Sequence, residues 1–406
     1  MPIPTKIKRA LSSFRKRLVH HKKELLVVTG LFLGWRIIVW IIGFIAANRF
    51  NLSKDTAYPW VPESPWKPAL SGILNLFARW DSGWYLSIAE NGYYVSGSAE
   101  PSNIVFFPLY PLLMRYIGNL LGGNHLIAGM LISTAALFFA CIILYFLAKK
   151  DLTKSSLAYR SVLYLLIFPY AFFLVCVYTE SLFLLTVLAS LYFARKDKWF
   201  FAGTFAALAT ATRPTGIILI LVLLVEYFEQ REFRVKSIKP NILWIGLTPL
   251  GIGAFMYFLY AKFGDPLLFA KAQEAWGRST DLSITGFIKT FFTYLHDFVT
   301  YSQEFAAYYF TNAFDFLSFV IFFILSIVIF FKLRKSYGVF MFFSLIMASM
   351  TQSYISMGRF TVVLFPAFIF LAKITRKEPW KSLYLILSIM LSVIIIMLFV
   401  NSYWTG

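Results

Sequence analysis

Long apolar runs separated by short charged connectors are the feature that most limits what this chain can fold into. Many of these runs approach the length of about 20 residues that a helix needs to cross the hydrocarbon core of a bilayer. Within lipid, backbone N–H and C=O groups must bond inside their own helix, so the runs predict helices. We therefore predict an all-α, polytopic membrane protein with about 11 transmembrane helices. The runs cover approximately residues 25–46, 125–148, 157–177, 180–194, 199–213, 214–229, 241–262, 315–331, 337–352, 359–374 and 381–400.

The composition indicates that lipid is the main solvent of this chain. Apolar residues make up 59% of the 406 residues and charged residues 14%, with a mean hydropathy of +0.70, whereas soluble domains are about half apolar. The formal net charge is +19, but the basic residues lie in short clusters between apolar runs, without an aromatic-basic soluble module. We expect membrane lipids as partners and no nucleic acid.

The basic connectors predict the orientation in the membrane. Connectors rich in Lys and Arg favour the cytoplasmic side, and a chain with about 11 spans places all of them there. Residues 1–24 then form a cytoplasmic basic arm, and residues 25–406 form a single transmembrane domain with outer loops at about 47–124 and 263–314. This predicts a multi-pass protein of the plasma membrane in a prokaryote, or of the endoplasmic reticulum in a eukaryote. The connectors are the N-terminal arm, Lys149–Lys154, Arg195–Lys198, Arg231–Lys239, Lys332–Lys335 and Arg376–Lys381.

One apolar segment, residues 106–121, does not fit this count as a further span. Counting it would move the connector Lys149–Lys154 to the outer side and invert the loops that follow. The segment also contains Pro108 and Pro111 near its start. We interpret it as an interfacial or re-entrant helix on the outer face.

Polar residues that are costly beside lipid collect on the outer side of this topology, which makes them candidates for function. A carboxylate can deprotonate an attacking hydroxyl, and the planar fork of arginine binds phosphate oxygens. The pattern is therefore suited to transfer of a group from a lipid phosphate. The residues concerned are Asp81 in the first outer loop, Glu180, Arg213 and Arg359 at span ends, and Gln273, Glu274, Trp276 and Arg278 in the second outer loop.

Simpler interpretations of the same residues stay open at this point. Asp81 can pair with Arg79 or another loop cation, and Glu180 can serve only to hold a helix end. The tryptophans Trp80 and Trp84 are typical of anchors at the membrane interface. Arginines at span ends can extend to lipid headgroups. The adjacent His296 and Asp297 resemble an acid–base pair, but we interpret them as structural.

The ordered motifs resemble those of the PIG-V family of mannosyltransferases, which belongs to the GT-C superfamily. The segment Arg79–Tyr85, Arg-Trp-Asp-Ser-Gly-Trp-Tyr, is similar to the first-loop signature of that family. Four further blocks follow in the same order on the same predicted face, so the likeness runs from about residue 75 to 370. These blocks are Phe106–Pro111, Tyr178–Phe183 with Thr212–Gly216, Phe263–Arg278, and Gly358–Phe360 with Phe365-Pro366.

The resemblance implies a GT-C-like fold whose two outer loops carry the active site. It also implies an inverting hexosyltransferase that moves a sugar, with mannose as the expected one, from a dolichyl or other polyprenyl phosphate to a hydroxyl of a glycolipid or glycan acceptor. Asp81 would be the catalytic base, and Arg213, Arg278 and Arg359 would bind the donor phosphate. The predicted substrate-binding residues are Arg79, Trp80, Trp84, Tyr85, Glu180, Gln273 and Trp276.

The sequence predicts no cofactor and no metal site. Cys141 and Cys176 both lie inside apolar runs, which indicates neither a disulfide framework nor a metal cluster. The first outer loop contains the isolated acid Asp81 rather than an Asp-x-Asp pair, and a donor with one phosphate has no obligatory need for a metal.

Two other functions use the same residues. A transporter or flippase of a lipid-linked sugar would also need arginines and a groove open to lipid, but its polar residues should line a path to the middle of the membrane. A non-catalytic assembly subunit would carry a degenerate site. Transfer of a labelled sugar separates the enzyme from both.

Overall fold

The computed structural model describes residues 21–49, 76–96, 100–278, 283–300 and 307–405. These residues contain α-helices and short 3-10 helices, and no β-strand occurs among them. The α-helices are α1 (Lys22–Arg49), α2 (Ser82–Asn91), α3 (Leu109–Leu120), α4 (His125–Leu152), α5 (Ser155–Leu166), α6 (Glu180–Ala194), α7 (Trp199–Thr212), α8 (Leu219–Glu229), α9 (Leu250–Phe263), α10 (Leu268–Lys271), α11 (Ile284–Thr300), α12 (Ala307–Lys332), α13 (Lys335–Ser349), α14 (Met357–Thr361), α15 (Pro366–Ile374) and α16 (Trp380–Val400).

Five helical segments of the described chain are long and apolar enough to cross a membrane. Shorter apolar helices, among them α6, α7 and α13, pack beside them. The predicted all-α membrane architecture is confirmed, and the count of about 11 spans stays a prediction. The five segments are Lys22–Arg49, His125–Leu152, Pro240–Phe263, Phe310–Lys332 and Trp380–Val400.

Two apolar runs that the sequence predicts as single spans are divided in the structure. The run 157–177 forms α5 and then, after Pro169, a 3-10 helix at Ala171–Val175. The run 359–374 forms α14 and α15, and Pro366 is the first residue of α15. Proline has no N–H to donate and clashes with the preceding turn, so it ends a helix even where the sequence is apolar on both sides.

The segment at 106–121 forms the 12-residue helix α3. At a rise of 1.5 Å per residue this helix covers about 18 Å, less than the roughly 30 Å of a bilayer core. Its Tyr110 hydroxyl bonds the Ser133 hydroxyl of α4 at 2.8 Å and donates to the Gly129 carbonyl at 3.0 Å. A short helix fastened to the side of α4 fits the interpretation of a segment that does not cross.

The basic connectors meet at one end of the helices. Lys150 Nζ donates to the Arg195 carbonyl at 2.8 Å, and Lys373 Nζ donates to the Lys332 carbonyl at 3.0 Å. The start of α6 at Glu180 lies at the other end, since 15 residues of helix cover about 22 Å. These contacts join parts of two connectors, and a third connector to the last turn of α15, whereas the topology and its cytoplasmic side stay predictions. Residues 1–20 of the predicted arm and residues 50–75 of the first outer loop lie outside the described residues.

Candidate active site

Asp81 stands at the start of α2 with its carboxylate turned away from the helix. Its side chain accepts no capping hydrogen bond from α2. The backbone is held by Tyr178, whose hydroxyl accepts from the Asp81 N–H at 3.2 Å and donates to the Arg79 carbonyl at 3.0 Å. Trp80 has a left-handed φ of 54°, a conformation that bulky residues rarely adopt. Packing against other helices thus presents the Asp81 carboxylate to the interior.

A chain of ion pairs links this carboxylate to three other helices. Arg359 Nη1 of α14 lies 2.6 Å from Asp81 Oδ2, and Arg359 Nε lies 3.5 Å from Glu180 Oε1 at the start of α6. Arg213, which follows α7, places Nη2 2.6 Å from the same Glu180 oxygen. The side chains of Glu180 and Arg359 are 0% and 5% exposed, so water does little to screen these pairs.

A third guanidinium, that of Arg278, completes the group. Its Cζ lies 5.7 Å from the centre of the Phe360 ring, and the Cζ atoms of Arg213 and Arg359 lie 5.2 and 5.3 Å from that same centre. Arg278 forms no ion pair within the described ranges. Three guanidinium groups therefore face two carboxylates. We call Asp81, Glu180, Arg213, Arg278 and Arg359 the cavity cluster.

The burial of Arg278 affects the pKa of its guanidinium. Burial lowers the pKa of the Arg278 guanidinium, and the charge of Arg359 acts in the same direction. An arginine stays protonated in proteins despite such a shift. An anion bound beside Arg278 would stabilise its charged form.

The cavity cluster borders a cavity of about 590 Å³. Around the charged residues the wall is mostly apolar, with Phe183, Leu345, Met347, Val363 and Leu364 among its members. A cavity that is charged in one part and apolar elsewhere suits a molecule with an anionic head and a hydrocarbon tail. The predicted site residues on its wall are Asp81, Tyr85, Arg213, Gln273, Trp276, Arg278 and Arg359.

Four predicted site residues do not line this cavity. Glu180 lies behind the arginines that it pairs with. Arg79 points to the C-terminal end of α16, where its Nη2 lies 3.5 Å from the Val400 carbonyl oxygen. Trp80 packs edge-on against Trp404 with 5.1 Å between ring centroids. Trp84 packs edge-on against Trp276, also at 5.1 Å. Of the four, Glu180, Trp80 and Trp84 contact residues of the cavity wall.

The structure brings two residues to the site that the sequence prediction omits. Trp404, close to the C-terminus, lines the cavity. Asp315 on α12 is fully buried and accepts two backbone hydrogen bonds from the segment before Arg359. The signal for Asp315 is its position at the edge of an apolar run, where an acid is costly. His296 and Asp297 are exposed on α11 and do not line the cavity.

Comparison with known proteins identifies a related family. Residues 105–260 match the family model of dolichyl-phosphate-mannose-protein mannosyltransferase. The chain is also 28% identical over 221 residues to GPI alpha-1,6-mannosyltransferase 2 of Cricetulus griseus, and 29% identical over 221 residues to that of Mus musculus. The resemblance to PIG-V mannosyltransferases is confirmed. Each of these alignments covers 48% of this chain and 43% of the PIG-V protein, so the chain matches less than half of the length of those relatives.

Solved structures give weaker similarity. The apo oligosaccharyltransferase of Archaeoglobus fulgidus is 12% identical with a TM-score of 0.44, over 92% of this chain and 56% of that protein. ArnT from Cupriavidus metallidurans bound to undecaprenyl phosphate is 12% identical with a TM-score of 0.32, over 84% of this chain and 78% of ArnT. Scores at this level do not establish a shared fold. The similarity to mannosyltransferases rests on the sequence matches.

Proposed function

We propose that this protein is a membrane glycosyltransferase that moves mannose from a polyprenyl phosphate to a hydroxyl of a glycolipid or glycan acceptor, with inversion, on the extracytoplasmic face. The observation that carries the proposal is the cavity itself. It presents the Asp81 carboxylate beside three guanidinium groups, and the rest of its wall is mostly apolar. The PIG-V relatives support a mannosyl donor.

In the proposed reaction, Asp81 acts as the general base. The acceptor hydroxyl oxygen attacks the anomeric carbon from the face opposite the phosphate, and the Asp81 carboxylate takes the hydroxyl proton. The bond between the anomeric carbon and the phosphate oxygen breaks at the same time. The phosphodiester of the donor thereby becomes a lipid phosphate monoester and carries one more negative charge. No metal or cofactor is needed when fixed cations meet that charge.

The arginines of the cavity cluster would hold this phosphate. Arg278 is the first candidate because it has no carboxylate partner within the described part of the chain. Arg359 donates to Asp81 at 2.6 Å, so a phosphate that engages Arg359 competes with Asp81. Donor binding would then release the Asp81 carboxylate, which could accept the proton of the acceptor hydroxyl.

The remaining wall residues would bind the sugar and the first part of the lipid. Tyr85 and Trp276 offer aromatic surface, and Gln273 offers an amide that can bond sugar hydroxyls. The hydrocarbon chain would lie against the apolar side, which includes Met347 of α13 and Leu364 before α15. Burial of apolar surface contributes about 25 cal/mol per Å², so this contact favours a lipid-linked donor over a nucleotide sugar.

The test is transfer of radiolabelled mannose from polyprenyl-phosphate-mannose by membranes that contain the protein. Asp81→Asn keeps the size of the side chain but removes the base, so we expect transfer to fall by about 10²-fold to 10⁴-fold. Asp297→Asn is the matched control, since Asp297 is exposed on α11 and outside the cavity wall. Normal turnover by the Asp81→Asn protein would remove the proposed base.

The same preparation separates the enzyme from a carrier. Sealed vesicles loaded on one side with labelled donor report translocation, whereas the labelled product reports transfer. Translocation without any transfer would support a flippase. Neither process in a folded protein would support the non-catalytic subunit.

A further inference from the structure

Asp315 uses both carboxylate oxygens to hold the backbone of one short segment. Its Oδ2 accepts from the Ser356 N–H at 2.8 Å, and its Oδ1 accepts from the Gly358 N–H at 2.7 Å. Asp315 is 0% exposed, so both bonds are made away from bulk water. One side chain thus fixes the backbone of the segment at two N–H groups that would otherwise be buried without partners. The next residue along the chain is Arg359.

The segment that Asp315 holds does not adopt an easy conformation. Ser356 has a φ of +71°, in the left-handed region that non-glycine residues rarely occupy. Gly358 lies so close to Tyr170 that an added Cβ would stand 2.2 Å from the Tyr170 Cζ atom. Such a backbone persists only where the surroundings impose it. Here the two hydrogen bonds to Asp315 and the close contact with Tyr170 impose it.

Arg359 depends on this support because its own helix is too short to hold it. The helix α14, Met357–Thr361, has five residues, and a helix of a single turn has little stability of its own. Arg359 nevertheless has to meet Asp81 and Glu180 at once. The same region of α12 also supports the other end of the cavity, since the Thr311 hydroxyl donates to the Trp404 carbonyl at 3.0 Å.

We propose that Asp315 is a positioning residue that aims Arg359 at the anionic phosphate of the lipid-linked donor. This inference rests on the proposed function, because it assigns Arg359 to the phosphate. Asp315 does not line the cavity and acts only through the backbone of residues 356–358. The helix α12 thereby affects the phosphate affinity of the cavity, although none of its described residues lines the cavity.

The test is a double-mutant cycle on the binding of a short-chain prenyl phosphate to the purified full chain in detergent. Asp315→Asn can accept only one of the two backbone bonds and has no charge. We expect affinity to fall about 10-fold, the size of one lost charge-assisted bond. In an Arg359→Gln background the same change should have no further effect, because the residue through which it acts is absent.

The matched control is Asp151→Asn, the same substitution at the opposite end of the helices. Asp151 is also buried and accepts from Arg195 and Tyr337, so its loss should lower the unfolding temperature and leave prenyl phosphate affinity unchanged. Asp315→Glu gives a second variant if Asp315→Asn does not fold. It keeps the charge and displaces the oxygens by one methylene, and we expect binding to weaken several-fold.

Three results would overturn the positioning role. The first is an Asp315→Asn protein that loses stability but binds prenyl phosphate as the wild type does. The second is an equal loss of affinity with and without Arg359. The third is wild-type affinity in Asp315→Glu. Failure of the proposed function looks different, because then membranes that contain the wild-type protein transfer no sugar from polyprenyl-phosphate-mannose.

Discussion

The two ends of the helix α6 carry buried charge clusters of similar composition. In one cluster every carboxylate oxygen accepts a hydrogen bond, whereas the other cluster contains polar atoms without a hydrogen-bond partner among the described residues. At one end Glu180 belongs to the cavity cluster. At the other end Arg195, directly after α6, pairs with Asp151 at 2.5 Å and lies 3.8 Å from Glu226. We call Asp151, Arg195, Glu226, Arg334 and Tyr337 the distal cluster.

The distal cluster satisfies its carboxylates completely. Asp151 accepts from Arg195 on one oxygen and from the Tyr337 hydroxyl on the other, at 2.5 and 2.9 Å. Glu226 accepts from Arg334 at 2.9 Å, and its second oxygen accepts from the Ser336 hydroxyl at 2.6 Å. No carboxylate oxygen of this cluster lacks a donor. The cluster ties α4, α6, α8 and α13 together.

The cavity cluster leaves some of its capacity for hydrogen bonds and ion pairs unused. Among the described residues, Glu180 Oε2 and Arg359 Nε have no hydrogen-bond partner, and Arg278 has no acidic partner. Buried polar groups without partners are rare in folded proteins and call for a specific explanation. The comparison teaches that a cluster whose carboxylate oxygens are all hydrogen-bonded joins helices, whereas arginine groups without a partner beside a cavity leave room for an anionic ligand.

Replacement of Arg359 by Gln should have the largest combined effect on transfer and on stability. It leaves Asp81 and Glu180 buried without their shared cation and removes a phosphate ligand. We expect transfer to fall by about 10²-fold to 10³-fold or more and unfolding free energy to fall by about 3–5 kcal/mol. Donor turnover and denaturant unfolding in detergent measure both. Near-normal turnover in the variant would mean that the cavity cluster, like the distal cluster, contributes only to stability.

Glu226→Gln should separate stability from function at the distal end. Glu226 is fully buried between Arg334 and Arg195, so we expect the unfolding free energy to fall by about 3 kcal/mol. The KM for the donor should not change, because the substitution lies about 20 Å from the cavity cluster along the helices. A raised donor KM in folded protein would show that the two clusters are coupled.

Part of this arrangement could be predicted from the sequence. Glu180, Arg213 and Arg359 stand at ends of apolar runs, Asp81 stands in the first outer loop, and the basic connectors predict one side for all four. That was enough to predict that the four meet. Which acid pairs with which cation could not be predicted, because Arg359 reaches Asp81 across 278 positions of sequence.

Other features could not be predicted for identifiable reasons. Asp315 belongs to a long apolar helix, and only packing shows that its oxygens meet the backbone before Arg359. Trp404 lies beyond the last apolar run and reaches the cavity because α16 returns to the site end. The helix breaks near Pro169 and Pro366 follow from the interruption of helices by proline. The continuous apolar character of both runs nevertheless favoured single spans.

Arg278→Gln should produce an intermediate effect that runs opposite to Glu226→Gln. Arg278 has no acidic partner within the part of the chain that the structure describes, so its removal should leave the unfolding temperature unchanged or slightly higher. Phosphate binding loses one charged donor, and we expect affinity for the donor to fall about 10-fold. Donor KM and a thermal unfolding curve on one preparation test both parts. A large loss of stability would mean that Arg278 is structural.

Asp265→Asn should have the smallest effect. It measures how much an exposed ion pair contributes to stability, for comparison with the buried pairs of the two clusters. The hydrogen bond from Lys271, and then that from the Leu267 N–H, holds the pKa of Asp265 below its ordinary value. A carboxylate with a lowered pKa stabilises the folded state above its ordinary pKa, and this contribution is lost as the pH falls through the lowered value. The wild-type protein should therefore lose slightly more stability than the variant below about pH 4. Parallel pH profiles would contradict this.

The central claim is that the arginines hold the phosphate while Asp81 takes the proton, and prenyl phosphate binding to the Asp81→Asn protein tests it most directly. Asp81 forms an ion pair with Arg359, so neutralisation of Asp81 should free a guanidinium. We predict that the variant binds a short-chain prenyl phosphate as tightly as the wild type or several-fold more tightly, although it no longer transfers sugar. Loss of binding in the folded variant would contradict the account, because Asp81 would then belong to the phosphate site itself.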